Sequence, residues 1–314
     1  MTPDRAITAA PPANWRRPRD AELDLYGITH PGKVRKENQD HFMLCTVHPQ
    51  VVVHGTSLPD VDELPLRGER LATYMLVADG VGSGSGGAEA SRVALSTITK
   101  YVASSLRSYH AAGSATDQEF YDALTAAALE AHEAVRAEGA AQPEAKMATT
   151  LTLAVAVFPW MYVTQVGDSR CYRYWDGELT QMTRDQTIAQ GLVDQGILPA
   201  DRMARSPFSH VLASAIGGGE ATPVVTRIDI PRGCVIFLCT DGLTKHVSNE
   251  EIASEIAAMT SSEQVSRKLL DLALERGGSD NITIIAARAP LPPDVAADTR
   301  TGERPAAKPD GFAA

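Results

Sequence analysis

The sequence predicts an α+β fold built on antiparallel β-sheets. Strand-like runs come first, two long helix-like runs then follow each other directly, and further strands precede a second helix pair and a last strand. Grouping strands and helices in separate blocks favours antiparallel sheets over a repeating β-α-β unit. The 314 residues are 44% hydrophobic and 22% charged, a composition that permits a sizeable globular core.

The predicted strands are short runs rich in β-branched and aromatic residues, bounded by Gly, Pro, Asn or Asp. In chain order they cover residues 23–29, 41–47, 51–54, 73–78, 150–158, 161–166, 170–175, 224–230, 234–240 and 281–288. Residues 234–240 are apolar almost throughout, which is typical of a buried strand.

Four helices are predicted from apolar residues that recur at helical spacing, over residues 87–107, 117–138, 249–259 and 262–276. Two of them have capping boxes. Thr116 precedes Glu119 by three residues, and Ser248 stands in the same relation to Glu251. These boxes predict where the second and third helices begin.

The domain organisation follows from changes in composition. Residues 1–21 form a predicted flexible leader, residues 22–289 one continuous domain, and residues 290–314, rich in Ala and Pro, a predicted disordered tail. Residues 55–70 are a polar insertion. Residues 184–223 combine a short helix-like piece with Pro and Gly, and the segment is long enough to be a functional loop or flap.

Charge and hydropathy exclude several classes of partner. The formal net charge is −10 with no long basic run, which argues against nucleic acid and against an anionic membrane surface. No apolar run approaches the roughly 18–20 residues of a membrane helix, and no apolar core of a signal peptide is present. The four cysteines lack CxxC pairing, which predicts reduced thiols and a cytoplasmic location.

Four aspartates sit at or beside the ends of strand-like runs, next to Gly or Asn. They are Asp79, Asp168, Asp241 and Asp280. Each alone is consistent with an ordinary turn. Together they suggest strands that deliver carboxylates to one cluster, which is costly unless a cation neutralises it. An all-oxygen cluster suits hard cations, so the pattern predicts a Mg²⁺ or Mn²⁺ site.

The order of these motifs resembles the metal-dependent serine/threonine protein phosphatases of type 2C (the PPM family), in their short bacterial form. The resemblance spans residues 22–289. Its motifs are residues 34–40, 77–82, 148–151, 166–170, 239–244 and 278–283. It implies a central sandwich of two antiparallel β-sheets flanked by pairs of antiparallel helices, with a flap over residues 184–210.

The resemblance also implies a binuclear metal centre. Asp79 would bridge two tightly bound Mn²⁺ or Mg²⁺ ions and act in catalysis, and the Gly80 carbonyl would be a further ligand. Asp241 and Asp280 would complete the ligand set. The two other aspartates of the implied site are Asp40 and Asp168. Asp40 would be associated with the metal through the opening motif, and Asp168 would reach a third, looser metal.

Arg35 is the predicted substrate clamp and the second catalytic residue. Its spacing of five residues to Asp40 is that of the family's opening motif, and a guanidinium offers a fork of donors matched to phosphate oxygens. Three departures accompany the match. Gln39 stands where many members carry Glu, Val81 where eukaryotic members carry a His proposed as general acid, and Gln186 where a His is frequent.

The predicted function is hydrolysis of phosphoserine and phosphothreonine in proteins by a metal-activated water. The implied partners are phosphorylated proteins, including a protein kinase that the enzyme opposes. Two alternatives stay open: a catalytically weak phosphatase-like binding module, and a hydrolase of small phosphate esters. Retention of the core acids Asp79, Asp241 and Asp280 argues against the binding module, whereas the flap and the insertion decide substrate choice.

Overall fold

Two antiparallel β-sheets of five strands each face one another at the centre of the molecule. The computed structural model describes residues 17–50, 52–54, 56–57, 66–82, 85–111 and 116–290. One sheet has the order β1-β12-β11-β8-β9 and the other β10-β7-β6-β3-β2, and a short pair, β4-β5, lies beside them. The described strands are β1 Asp24–His30, β2 His41–Val47, β3 Ala72–Ala78, β4 Gly80–Val81, β5 Ala148–Thr149, β6 Leu151–Val157, β7 Trp160–Val166, β8 Arg170–Trp175, β9 Glu178–Gln181, β10 Val224–Asp229, β11 Val235–Cys239 and β12 Ile282–Arg288.

Helices cover both outer faces of this sandwich. The described α-helices are α1 Gly86–Ala111, α2 Asp117–Ala141, α3 Ile188–Asp194, α4 Asp241–Thr244, α5 Asn249–Ala257 and α6 Ser262–Glu275. The first two pack on the sheet that contains β3, and the last two on the sheet that contains β12. The α+β prediction of a sandwich flanked by helix pairs is therefore confirmed.

The alternation of side chains along each strand builds three apolar layers. On β3, Met75 and Val77 point between the sheets, where they meet Leu238 and Ile285. The intervening Leu76 faces α1 and α2. Full burial of one such side chain contributes about 1.5–3 kcal/mol. These layers hold the strand ends, and the loops that follow them, in fixed positions.

The predicted capping boxes at Thr116 and Ser248 are both present and start α2 and α5. The prediction missed β9. Its signal was the Asp176-Gly177 pair, whose positive φ angles of 51° and 82° make a tight hairpin turn. The very short β4, β5 and α4 were also missed, because two to four residues carry no readable periodicity.

The predicted strand over residues 51–54 is wrong for its described part, residues 52–54, which are irregular. Val52 and Val53 are largely exposed, so their β-branched side chains find no sheet face on which to pack. An isolated bridge between Gln50 and Arg67, with a hydrogen bond from the Gly68 N–H to the Pro49 carbonyl at 2.9 Å, joins the two ends of this excursion. Residue 51 and much of the insertion lie outside the described residues.

The last part of the predicted leader, residues 17–21, packs on the domain instead of being flexible. The buried Arg70 donates to Asp20 Oδ1 at 2.6 Å and to the carbonyl of Pro18 at 2.8 Å. Residues 1–16, and the predicted tail beyond Pro290, lie outside the described residues. Among the helices that the structure describes, none is long and apolar enough to cross a membrane.

Candidate metal centre

Five aspartates meet at one end of the sandwich, where strands β3, β7 and β11 end and strands β2 and β12 begin. Burial, and then the charges of the other four members, raise the pKa of Asp79 far above its ordinary value. The four are Asp40, Asp168, Asp241 and Asp280. The structure thus brings together every carboxylate that the sequence predicted for the metal centre.

Asp40 is the most deeply buried of these acids, with 3% of its surface exposed. Its Oδ2 accepts hydrogen bonds from Thr240 at 2.8 Å and Thr283 at 2.7 Å. Its Oδ1 is buried without a hydrogen-bond partner. Burial raises the pKa of Asp40 to about 7, although the two threonine hydroxyls act in the opposite direction. One carboxylate oxygen is therefore held by two hydroxyl groups, whereas the other accepts no hydrogen bond from the described residues.

Asp79 is positioned through its backbone. Its N–H donates to Thr150 Oγ1, and its carbonyl accepts from Thr149 Oγ1 and from the Thr150 N–H, all at 2.9 Å. Strand β6 begins at Leu151, directly after Thr150, and pairs with β3. The main chain of Asp79 is consequently fixed while its carboxylate faces the other acids.

Gly80 cannot be replaced without moving the chain. A Cβ at this position would lie 2.1 Å from the carbonyl oxygen of Gly87 and 2.7 Å from that of Gln39. Glycine lets the start of α1 and the segment before β2 approach Asp79 closely. The Gly80 N–H donates to the Gln39 carbonyl at 3.2 Å, and this hydrogen bond connects the motif of residues 77–82 with the motif of residues 34–40.

Asp168 follows a turn that the flap segment holds in place. Gly167 has a φ of 101°, and its N–H donates to Gln186 Oε1 at 2.8 Å, while the Gln186 N–H donates back to the Gly167 carbonyl at 2.9 Å. Burial, then repulsion by Asp241 and Asp185, raises the pKa of Asp168 to about 7. The sequence flagged Gln186 as a departure but did not predict this positioning role.

Asp241 and Asp280 share one cationic neighbour, Lys245, and Asp280 has a second one in Arg35. Lys245 Nζ lies 2.7 Å from Oδ2 of each carboxylate. Arg35 makes a two-pronged contact with Asp280, Nε to Oδ1 at 2.8 Å and Nη2 to Oδ2 at 2.9 Å. Burial raises the pKa of Asp280, but Arg35 and Lys245 outweigh it and the pKa is lowered. Sequence reasoning missed Lys245, although its spacing of four residues from Asp241 on a helical turn was readable.

The loop that carries Arg35 is fastened by Asn281. The Asn281 side chain donates to the carbonyls of Pro31 and Glu37 and accepts from the Gln39 N–H, each at 2.9 Å. The residue next to Asp280 thus sets the position of the loop between β1 and β2. This explains how Arg35 and Asp280 come together from opposite ends of the sequence.

The predicted flap folds as α3 followed by a 3-10 turn over Ala200–Arg205. It returns to the cluster at His210, whose Nδ1 lies 3.9 Å from Asp241 Oδ2. Arg170 at the start of β8 forms an ion pair with Asp185 at the flap's base. The segment is thus attached at its base and borders the cluster at its far end.

The donor set fits divalent cations of the hard type. The converging groups are carboxylates, which suit Mg²⁺ and Mn²⁺. Two of their oxygens, Asp40 Oδ1 and Asp241 Oδ1, are buried without a hydrogen-bond partner. As they stand, however, no three Asp, Glu, His or Cys side chains in the described part of the chain are arranged to hold a metal ion.

A family model described as protein phosphatase 2C matches residues 56–275. The serine/threonine protein phosphatase PstP of Mycobacterium tuberculosis is 31% identical over 217 residues, which are 69% of this chain and 40% of that protein. This chain thus spans less than half of that relative's length. A putative 2C-type protein phosphatase of Streptococcus pyogenes is 31% identical over 141 residues, or 44% of this chain and 56% of that protein.

Solved structures agree with the fold. The crystal structure of the Mycobacterium tuberculosis phosphatase PstP/Ppp matches with a TM-score of 0.68 and 26% identity, covering 86% of this chain and 99% of that one. The catalytic domain of PstP in complex with two manganese ions matches with a TM-score of 0.65 and 26% identity, over 86% and 99% of the two chains.

Proposed function

Because the chain belongs to the protein phosphatase 2C family, we propose that it is a metal-dependent protein phosphatase. Its substrates are phosphoserine and phosphothreonine residues of proteins. The observation that carries this proposal is the convergence of five aspartates on one point, with buried oxygens of Asp40 and Asp241 left without a protein partner. A fold alone would not assign a function, whereas this site supports one.

The proposed ligand roles follow the positions of the family's motifs in this sequence. Asp79, which stands among the other four carboxylates, would be shared by two Mn²⁺ or Mg²⁺ ions, with the Gly80 carbonyl as a further ligand. Asp241 and Asp280 would complete the ligand set of the two tightly bound ions, and Asp40 would be associated with them. Asp168, on a separate turn, would serve a third and weaker site.

When bound, the two cations would lower the pKa of a water and stabilise the charge that develops on phosphate oxygens. The protein supplies orientation. The Arg35 guanidinium has five N–H donors, and its contact with Asp280 uses one on Nε and one on Nη2. The donors that make no contact with the described residues would align a phosphate oxygen at the exposed edge of the cluster.

We also propose the bounds of the domain, its partners and its location. The phosphatase domain covers residues 22–289, with the flap at 184–210 and the insertion at 55–70 setting substrate choice. Phosphorylated proteins, among them a protein kinase, are the partners. A cytoplasmic location is supported by the four cysteines, which are all free thiols.

A comparison of phosphopeptide with small phosphate ester hydrolysis tests the function. We expect the wild-type protein with Mn²⁺ to prefer the phosphopeptide in kcat/KM. Asp79→Asn, which removes a charge shared by both cations, should lower kcat at least about 10³-fold in a folded protein. The matched control is Asp271→Asn on the exposed face of α6, which should leave kcat unchanged.

Other outcomes would separate the alternatives. A preference for the small ester would replace the protein phosphatase with a hydrolase of small esters. No turnover of either substrate, with phosphopeptide still bound, would indicate a binding module. Near-normal turnover in a folded Asp79→Asn protein would show that Asp79 is not the bridging acid.

A further inference from the structure

An ammonium group lies between two of the carboxylates assigned to the metal. Lys245 Nζ is 2.7 Å from Asp241 Oδ2 and 2.7 Å from Asp280 Oδ2. Its side chain is 22% exposed, and the two acids are 16% and 15% exposed. The ammonium is thus partly buried, and the two carboxylates that face it offset the cost of its lost hydration.

Local structure puts the ammonium there. The short helix α4 begins at Asp241, and Lys245 is the residue that closes it. Residues four apart lie on one face of a helical turn, so the lysine reaches back over Asp241. Asp280, before β12, comes to the same point because β11 and β12 are neighbouring antiparallel strands.

The ammonium uses oxygens that a divalent cation would need. Lys245 contacts the Oδ2 atoms of both acids, and Arg35 contacts both oxygens of Asp280. A divalent ion and the Lys245 ammonium cannot both occupy the space between the two carboxylates.

We propose that Lys245 is a built-in competitor for metal, an internal cation that holds Asp241 and Asp280 together and that a divalent ion must displace. This inference rests on the proposed function, since it presumes that the two acids bind metal. It has two consequences. The lysine lowers the affinity of this metal site, and it stabilises the fold when metal is scarce.

Calorimetric titration with Mn²⁺ at near-neutral pH, without substrate, measures the first consequence. Lys245→Met removes the charge and keeps the chain length, and it should bind Mn²⁺ about 5–150-fold more tightly, the range of typical coupling between two ligands. Lys245→Arg keeps a cation and should stay near wild-type affinity. Lys268→Met, on the exposed face of α6, makes the same change in net charge and should also match wild type.

Thermal unfolding measures the second consequence. In excess chelator, Lys245→Met should melt several degrees below wild type, because two close carboxylates lose their shared cation. In saturating Mn²⁺ the difference should vanish or reverse, since the metal takes over that role. If Lys245→Met does not fold in chelator, Lys245→Gln, which keeps a hydrogen-bond donor, replaces it in both measurements.

The outcomes distinguish this inference from the function on which it rests. Unchanged or weaker Mn²⁺ binding by Lys245→Met, beside a wild-type protein that binds Mn²⁺, would overturn competition and leave the phosphatase proposal standing. Failure of wild type and all variants to bind Mn²⁺ or Mg²⁺ would overturn both. Equal tightening in Lys268→Met would trace the effect to net charge and overturn the specific role of Lys245.

Discussion

At the scale of single residues, the five aspartates are not equivalent because each has different neighbours. Asp40 is held by two threonine hydroxyls, whereas Asp280 is held by two cations. The pKa of Asp40 is raised in the first environment, and the pKa of Asp280 is lowered in the second. Substitutions at these positions should therefore have different effects on metal binding.

Arg35 and Asp280 offer a direct contrast. Arg35→Ala should lower kcat/KM for phosphopeptides by about 10–10³-fold, because a phosphate clamp is lost while the metal ligands remain. Asp280→Ala should first lower metal occupancy, since it removes a ligand. Calorimetric metal titration beside steady-state kinetics measures both effects, with Arg267→Ala on α6 as the exposed-arginine control.

Because Arg35 forms an ion pair with Asp280, the Arg35→Ala variant also tests whether the guanidinium supports metal binding. If Arg35→Ala loses metal as severely as Asp280→Ala, the guanidinium supports the cluster and is not a substrate clamp. If it loses neither metal nor phosphopeptide kcat/KM, Arg35 is a solvated charge without either role.

Four of the acids could be singled out from the sequence because they sit beside strand ends, where a carboxylate among apolar residues is conspicuous, whereas Asp40 was predicted only from the family's opening motif. Two of their partners could not be singled out. Gln186 and His210 are ordinary polar residues in the sequence, and only the fold brings them to the cluster. The spacing of Lys245 to Asp241 was readable, but its contact with Asp280 was not. A side chain whose role depends on a contact distant in sequence carries no local signal.

At the scale of elements, the base of the flap and the β7–β8 turn form one unit. Besides its two bonds to Gly167, Gln186 donates from Nε2 to the Thr222 carbonyl at 3.0 Å and accepts from the Ala213 N–H at 2.8 Å. The flap is therefore attached to the turn that presents Asp168. Long strands and helices were predictable from periodicity, but this attachment depends on backbone groups, which have no sequence pattern.

Gln186→Ala should lower the free energy of unfolding by about 1–3 kcal/mol, because the buried N–H of Gly167 would lose its acceptor. Urea unfolding measures this, with the exposed Gln118→Ala on α2 as control, expected within about 0.5 kcal/mol of wild type. An unchanged stability in Gln186→Ala would mean that water replaces the side chain and that the turn does not need the flap.

At the scale of the whole molecule, the sandwich concentrates negative charge at one end, and stability should depend on how that charge is compensated. Burial and neighbouring acids raise the pKa of Asp40 and of Asp168 from 3.8 to about 7. At pH values between 3.8 and about 7, the folded protein therefore binds more protons than the unfolded chain. The resulting stabilisation is complete below the unfolded pKa and is lost as pH rises through about 7.

Metal-stripped protein should therefore unfold more easily in urea at about pH 8 than at about pH 5. Saturating Mn²⁺ should flatten or reverse this trend, because the ion favours ionised carboxylates. Asp168→Asn should reduce the slope in the stripped protein, since one titrating group is gone. Stability of the stripped wild type that rises between the two pH values would contradict the electrostatic description of the cluster.

Metal content measured beside activity tests directly whether the five aspartates form a binuclear metal centre. Exhaustive chelation, checked by elemental analysis, should abolish phosphopeptide hydrolysis, and Mn²⁺ added back should restore it as about two ions bind per chain. Full activity in protein proven free of metal would contradict the binuclear centre and, with it, the function proposed for these five aspartates.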